Sequence, residues 1–130
     1  MNSEAMHAAL EGSERGQMVF PEVVGTLMSA GVESYYADLL RREYTYYMPN
    51  GEAHVERGTL PEAVVAEEFS RDGIVAAIRG AQADTVRYPE FVRLATAAGA
   101  AGYHVFLTGR RAVYFGRKGE IHIEEFPGSK

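Results

Sequence analysis

The chain has no cysteine among its 130 residues. That absence excludes disulfides, thiolate nucleophiles and Cys-ligated zinc or iron–sulfur sites. Basic charge is also in short supply, with 13 Lys and Arg against 18 Asp and Glu, a formal net charge of -5 and a pI of about 5.4. Without a basic run to follow a phosphate backbone, no nucleic-acid partner is expected. No apolar stretch approaches the roughly 20 residues that a membrane helix needs, so no membrane partner is expected either. The opening residues Met1, Asn2, Ser3 and Glu4 carry neither the basic region nor the apolar core of a secretory signal. A cytoplasmic location is the expectation. A Walker motif, a dinucleotide-binding glycine fingerprint and a nucleophile elbow are all missing, and no cofactor is implied.

What is present is an ordinary globular composition, 46% hydrophobic and 24% charged, in a length that suits one domain over 1–130. Within it the chain matches itself at an offset of 68 residues. Phe20-Pro21-Glu22 falls on Tyr88-Pro89-Glu90, and the same register aligns Gly31 with Gly99, Tyr35 with Tyr103 and Leu39 with Leu107. It continues through Arg42 and Arg110, Tyr46 and Tyr114, Gly51-Glu52 and Gly119-Glu120, His54 and His122, and Glu56 and Glu124. One ungapped register over a whole unit reads as an internal duplication. Repeat 1 is placed at 20–57, a helical linker at 58–87 and repeat 2 at 88–126.

Each repeat is expected to be a helix followed by a three-stranded antiparallel meander, an α+β fold. Pro21 and Pro89 suit a first helical turn, Glu22 and Glu90 suit the positive end of the helix dipole, and Gly31 and Gly99 suit left-handed C-caps. Strands are expected at 35–40, 43–48 and 52–57, and again at 103–108, 111–116 and 120–126. Asn50-Gly51 reads as a two-residue hairpin loop, with Lys118-Gly119 in the same place later. In the linker, Thr59 and Glu62 form a capping-box pattern, and Ser70 suits the cap of a helix carrying Ile74, Val75 and Ile78. A short amphipathic helix is expected over 3–13.

With two-residue loops, strand alternation sorts the side chains into two faces. One holds Tyr35, Ala37, Leu39, Tyr44, Tyr46, Met48, Ala53 and Val55, with Tyr103, Val105, Leu107, Ala112, Tyr114, Ile121 and Ile123 from the second repeat. This is the expected helix-covered core. The other face carries the candidate ligand-binding row Tyr36, Tyr47 and His54, repeated as His104, Phe115 and His122. A three-residue loop in either hairpin flips part of this assignment.

Three candidate chemistries follow. Glu52, His54 and Glu56, with Glu120, His122 and Glu124, are carboxylate and imidazole groups of the kind that bind zinc, manganese or iron, and a pseudo-twofold packing of the repeats lets both sets converge. Against this stands a solvated strand face whose charges pair with neighbours. His104 and His122 beside Phe115 suit an acid–base pair, against plain cross-strand packing. The tyrosines 35, 36, 44, 46 and 47 suit a ligand pocket or a protein contact, against sheet packing. The preferred reading is a small ligand- or protein-binding domain without catalysis, using the aromatic and histidine-bearing sheet face or a sheet edge, with a homodimer as its expected assembly. The alternative is a metal-dependent or acid–base enzyme.

Phe20-Pro21-Glu22-Val23-Val24, Ala30-Gly31-Val32-Glu33-Ser34-Tyr35, Tyr46-Tyr47-Met48-Pro49-Asn50-Gly51-Glu52 and Tyr114-Phe115-Gly116-Arg117-Lys118-Gly119-Glu120 carry a further signal. With Gly102-Tyr103-His104-Val105, they resemble a family of uncharacterised bacterial proteins of about this length, sometimes labelled phage-envelope-like. The resemblance implies no activity and no catalytic residues.

Overall fold

A computed structural model describes residues 1–127, so the last three positions of the expected 1–130 domain lie outside the described residues. Helices α1 (Ser3–Glu14) and α2 (Phe20–Ser29) precede strands β1 (Ser34–Asp38), β2 (Glu43–Tyr47) and β3 (Ala53–Arg57). Helices α3 (Arg71–Gln82) and α4 (Tyr88–Ala97) then precede β4 (Ala100–Phe106), β5 (Arg111–Gly116) and β6 (Ile121–Glu125). The strands form one antiparallel sheet in the order β3-β2-β1-β4-β5-β6. All four helices lie on one face, where Met6, Leu27, Ile74 and Ala95 are fully buried against Tyr35, Ala37, Val105 and Leu107 of the sheet. The fold is α+β.

Local chemistry explains the helix ends. Pro21 and Pro89 occupy first turns, and the Glu22 carboxylate accepts the Val19 N–H at 3.0 Å. At the end of α2 the Val32 N–H bonds the Leu27 carbonyl and the Gly31 N–H bonds the Met28 carbonyl, a Schellman motif. Gly31 supplies the positive φ that this motif requires, 84°. Gly99 does the same for α4 with φ 97°, and it has a second reason to be glycine, because a Cβ there runs into the backbone of Glu68 and Phe69. Ser70 caps α3 by accepting the Gly73 N–H at 3.0 Å.

The expected helix at Thr59 and Glu62 does not form. The Thr59 N–H and hydroxyl donate instead to the Glu14 carboxylate at 3.0 and 2.8 Å. Further along, the Ala66 and Ser70 amides bond the Thr96 and Ala98 carbonyls. The segment's polar groups are thus spent on neighbouring elements, and 58–70 runs as an extended strap ahead of α3.

The hairpin loops differ from expectation in two ways, each occurring in both halves of the sheet and with different consequences. Between β1 and β2 the loop has four residues, because the Asp38 carboxylate collects the Leu40 and Arg41 amides, both at 3.0 Å, and Arg42 takes φ 57°. The pairing moves by two positions and the faces survive. Between β2 and β3 the loop is Pro49, Asn50 and Gly51, closed by the Met48 N–H on the Glu52 carbonyl at 2.8 Å. Pro49 suits the first central position of a type I turn, and only Gly51 has positive φ, 93°, the three-residue hairpin with a glycine bulge. Gly119 repeats it with φ 88°. One extra loop residue turns the whole of β3 and β6 over. Tyr46 therefore pairs with His54 and Tyr114 with His122, which moves both histidines to the helix-covered side. Ala53, Val55, Ile121 and Ile123 face outward and are exposed.

Candidate functional site: a tyrosine-lined cavity under the helices

The register lays two rows across the helix-covered face. One runs His54, Tyr46, Tyr35, Val105, Ala112 and Glu124; the other runs Glu56, Tyr44, Ala37, Tyr103, Tyr114 and His122. A half-turn about an axis between β1 and β4 exchanges the rows, bringing each residue onto the one 68 positions away. Tyr35 lands on Tyr103, Tyr46 on Tyr114 and Glu56 on Glu124, but Tyr44 lands on Ala112.

Above these rows lies a cavity of about 330 Å³ whose wall is mostly apolar, a size suited to a small organic molecule. Its floor includes Tyr35, Tyr46, Val105, Ala112 and Tyr114, and its roof includes Leu10, Leu27, Ile78 and Phe91. The mouth is framed by exposed Phe20 and Pro21 at the start of α2, by Gln82, Asp84 and Arg87 between α3 and α4, and by Phe126 and Pro127. Phe20 and Phe126 meet edge to face there with ring centres 5.6 Å apart.

The tyrosines divide into two groups. Tyr88 hydroxyl bonds Tyr44 at 2.5 Å and Tyr103 at 2.8 Å, a chain that ties α4 to β2 and β4. Among the described residues, no protein group pairs with the hydroxyls of Tyr35, Tyr46 and Tyr114, which are only 5%, 2% and 6% exposed. Nor are these oxygens sealed in dry packing, a condition found only for Arg42 Nε among the described residues. They open onto the cavity they line. Burial pushes the pKa of all three well above the usual tyrosine range, so each stays protonated as a hydrogen-bond donor near neutral pH.

The residues expected to bind metal do not converge. His54 and His122 occupy opposite edge strands, on the order of 20 Å apart at about 4.8 Å per strand. Glu52 sits in the exposed hairpin loop. Glu56 bonds His54 at 2.5 Å and, from α1, His7 at 2.8 Å. Glu124 takes Arg79 of α3 at 2.7 Å and His122 at 3.3 Å, while Glu120 accepts the Lys118 amide at 3.0 Å within its own loop. No group of three or more His, Asp or Glu placed to hold a metal ion occurs among the described residues. These carboxylates anchor helices to edge strands. Glu56 and Glu124 are both held below the usual carboxylate range: burial opposes ionisation, and the bonds from His54 and His7, or from Arg79 and His122, outweigh it.

The candidate ligand row is divided between faces. Tyr36, Tyr47, His104 and Phe115 stand together on the uncovered face, whereas His54 and His122 do not join them. His104 stacks on Phe106 at 4.2 Å and on Tyr47 at 5.9 Å, and its Nε2 lies 3.0 Å from Ser34 Oγ. Partial burial lowers its basicity. Tyr36 bridges it to Phe115. His104 and His122 therefore cannot pair, because they project from opposite faces of the sheet. Of the five tyrosines expected to suit a pocket, Tyr35, Tyr44 and Tyr46 line the cavity, whereas Tyr36 and Tyr47 stand on the other face; Tyr114 and Ala112, expected only as core, line it too. The signal that marks Ala112 is its mismatch with Tyr44 at the 68-residue offset.

Fold and site together define a two-layer domain, four helices on a six-stranded antiparallel sheet, with a ligand-sized cavity between the layers. Residues 9–125 match the family model described as a protein of unknown function, DUF1398, and the chain belongs to that family. That description says nothing of a phage envelope and names no activity. No curated protein matches the chain. No helix among the described residues is long and apolar enough to cross a membrane.

Proposed function

We propose that this protein binds a small organic molecule in the cavity between its helices and its sheet, without catalysing a reaction on it. One observation carries the reading: three almost fully buried tyrosine hydroxyls, from β1, β2 and β5, open on one cavity with no protein partner. These oxygens reach the cavity rather than dry packing, so they are free to hydrogen-bond a ligand's polar atom that takes the place of solvent there. The same arrangement supports reading the two halves as copies of one unit, which differ here in carrying Tyr44 in the first and Ala112 in the second. The test is a screen of small organic molecules against the isotope-labelled protein by NMR. Binders are expected to shift the amides of Tyr35, Tyr46, Ala112 and Tyr114 together. Binders that shift only the uncovered sheet face would overturn the reading.

A second surface supports a second, compatible reading, that the uncovered face meets another copy of the chain. Its central row is Val55, Thr45, Tyr36, His104, Val113 and Ile123, which carries no carboxylate, lysine or arginine.

A further inference from the structure

We infer that the ligand is a neutral, largely apolar molecule with a hydrogen-bond acceptor such as a ketone or amide carbonyl. The acceptor meets the tyrosine hydroxyls, and the apolar body lies over Ala112 and Val105. This rests on the binding reading above and names the chemistry of that site.

The polarity follows from the lining. Tyr35, Tyr46 and Tyr114 each carry an O–H with no protein acceptor, and three such donors around one cavity are met together by a ligand acceptor. Among the described residues Arg87 is the one cationic side chain in the lining, and it sits at the mouth, bonded to Asp84 at 2.8 Å and to the Gly16 carbonyl at 2.8 Å. An anion entering the cavity therefore meets no free positive charge, and it approaches Glu124 on the floor. The lining carboxylates offer a cation equally little, since Glu124 is engaged by Arg79 and His122, Asp84 by Arg87, and Glu125 by Arg111. Uncharged ligands alone escape the desolvation cost without a counter-charge.

The placement follows from the broken symmetry. In the first half of the sheet, the phenol of Tyr44 fills its position and bonds Tyr88. Ala112 holds the equivalent position with a single methyl group, beside Val105 in the same row, and the cavity reaches both. A side chain of Tyr44's size at 112 fills the space where the ligand's body is assigned. Such a residue improves packing while it removes the site, a trade of stability against function that a purely structural cavity does not require.

The experiment uses four probes of one shape: 2-acetylnaphthalene, 2-ethylnaphthalene, 2-naphthoate and 2-naphthylmethylammonium, titrated calorimetrically into the full chain. The ketone is expected to bind at least tenfold more tightly than the hydrocarbon and than either ion. Tyr35→Phe, Tyr46→Phe and Tyr114→Phe are each expected to narrow the gap between ketone and hydrocarbon. Ala112→Phe is expected to abolish ketone binding and to raise the melting temperature, with Ala112→Leu as the smaller filling should Phe not fold. If no probe binds, both the binding reading and this inference fail. If the hydrocarbon or an ion binds best at the cavity, binding stands and the neutral-acceptor chemistry is overturned. Ketone binding that survives a folded Ala112→Leu and Ala112→Phe overturns the placement.

Discussion

Tyrosine is the residue on which most of this molecule turns, and its hydroxyl has two distinct fates. Tyr88 is a strut whose oxygen contacts both Tyr44 and Tyr103, so Tyr88→Phe leaves two buried hydroxyls with one partner fewer. The expected loss is about 1–3 kcal/mol in urea denaturation. Tyr46 is equally buried, but no protein group pairs with its hydroxyl among the described residues. Removing an oxygen that pairs with nothing is close to neutral or stabilising, so Tyr46→Phe is expected within about 0.5 kcal/mol of wild type or above it. Equal losses in the two variants would mean that the Tyr46 hydroxyl has a structural partner after all, and the cavity reading would lose its main support.

Elements are held to one another here by edge carboxylates, and the two edges respond differently to pH. Glu56 on β3 receives His7 from α1, and Glu124 on β6 receives Arg79 from α3. His7 has its basicity raised by the bond to Glu56, with a smaller contribution from Glu11. A raised histidine contributes fully below its ordinary value of 6.5, and the contribution fades as pH climbs through the raised value. Glu56 and Glu124, held low, contribute above their ordinary 4.5 and lose that only as acid protonates them. The hold of α1 on β3 is therefore strongest between about pH 4.5 and 6.5, whereas Arg79 keeps α3 attached on the alkaline side as well. Amide exchange, corrected for intrinsic rates, is expected to quicken in α1 by roughly two- to fivefold from pH 6 to 8.5 relative to α3, with the difference absent in His7→Ala. A pH-independent ratio in the wild type would remove the latch. His7 was invisible in the sequence because its partner lies 49 residues away on another element. The elements themselves were largely legible: Pro21, Gly31, Ser70, Pro89 and Gly99 are local signals, and each acts within its own turn of chain. The loop at Pro49, Asn50 and Gly51 was not, since Asn-Gly fits both a two-residue and a three-residue hairpin; Pro49 suits the first position of the longer turn, and the second hairpin makes the same turn with Arg117 there. That single residue of loop length turned His54, Glu56, His122 and Glu124 toward the helices, and with them went the metal reading.

For the molecule as a whole, placing every helix on one side leaves a six-stranded sheet with an open face. Val55, Ile121 and Ile123 are each about half exposed on it, and Tyr36, His104, Phe106, Val113 and Phe115 add partly covered aromatic and aliphatic surface. At about 4.8 Å per strand and 3.3 Å per residue, six strands of five residues span a footprint of about 29 by 17 Å, or roughly 500 Å² before corrugation. A stable interface buries about 800 Å² of accessible surface on each partner, so this face sits at the small end of what association needs. Charge does not call for a partner of opposite sign. Arg57 already pairs with Glu43 at 2.7 Å at one corner, and Arg111 pairs with Glu125 at 3.7 Å at the diagonal one. The central row also maps onto itself under a half-turn within the chain, so a second copy offers the first the same uncharged strip in either direction, and an isologous contact joins that one patch on both copies. A micromolar homodimer by sheet-on-sheet packing is the expected outcome in sedimentation velocity, with mass rising from monomer to dimer between about 1 and 100 µM. Val113→Lys and Ile123→Lys, which place a charge next to the end and at the end of the strip, are expected to hold the protein monomeric with the melting temperature little changed. A wild type that stays monomeric at the highest concentration, or lysine variants that dimerise as well as it does, would leave the face without a partner of its own kind. Ligand binding in the cavity, on the other side of the sheet, is expected to be the same in monomer and dimer.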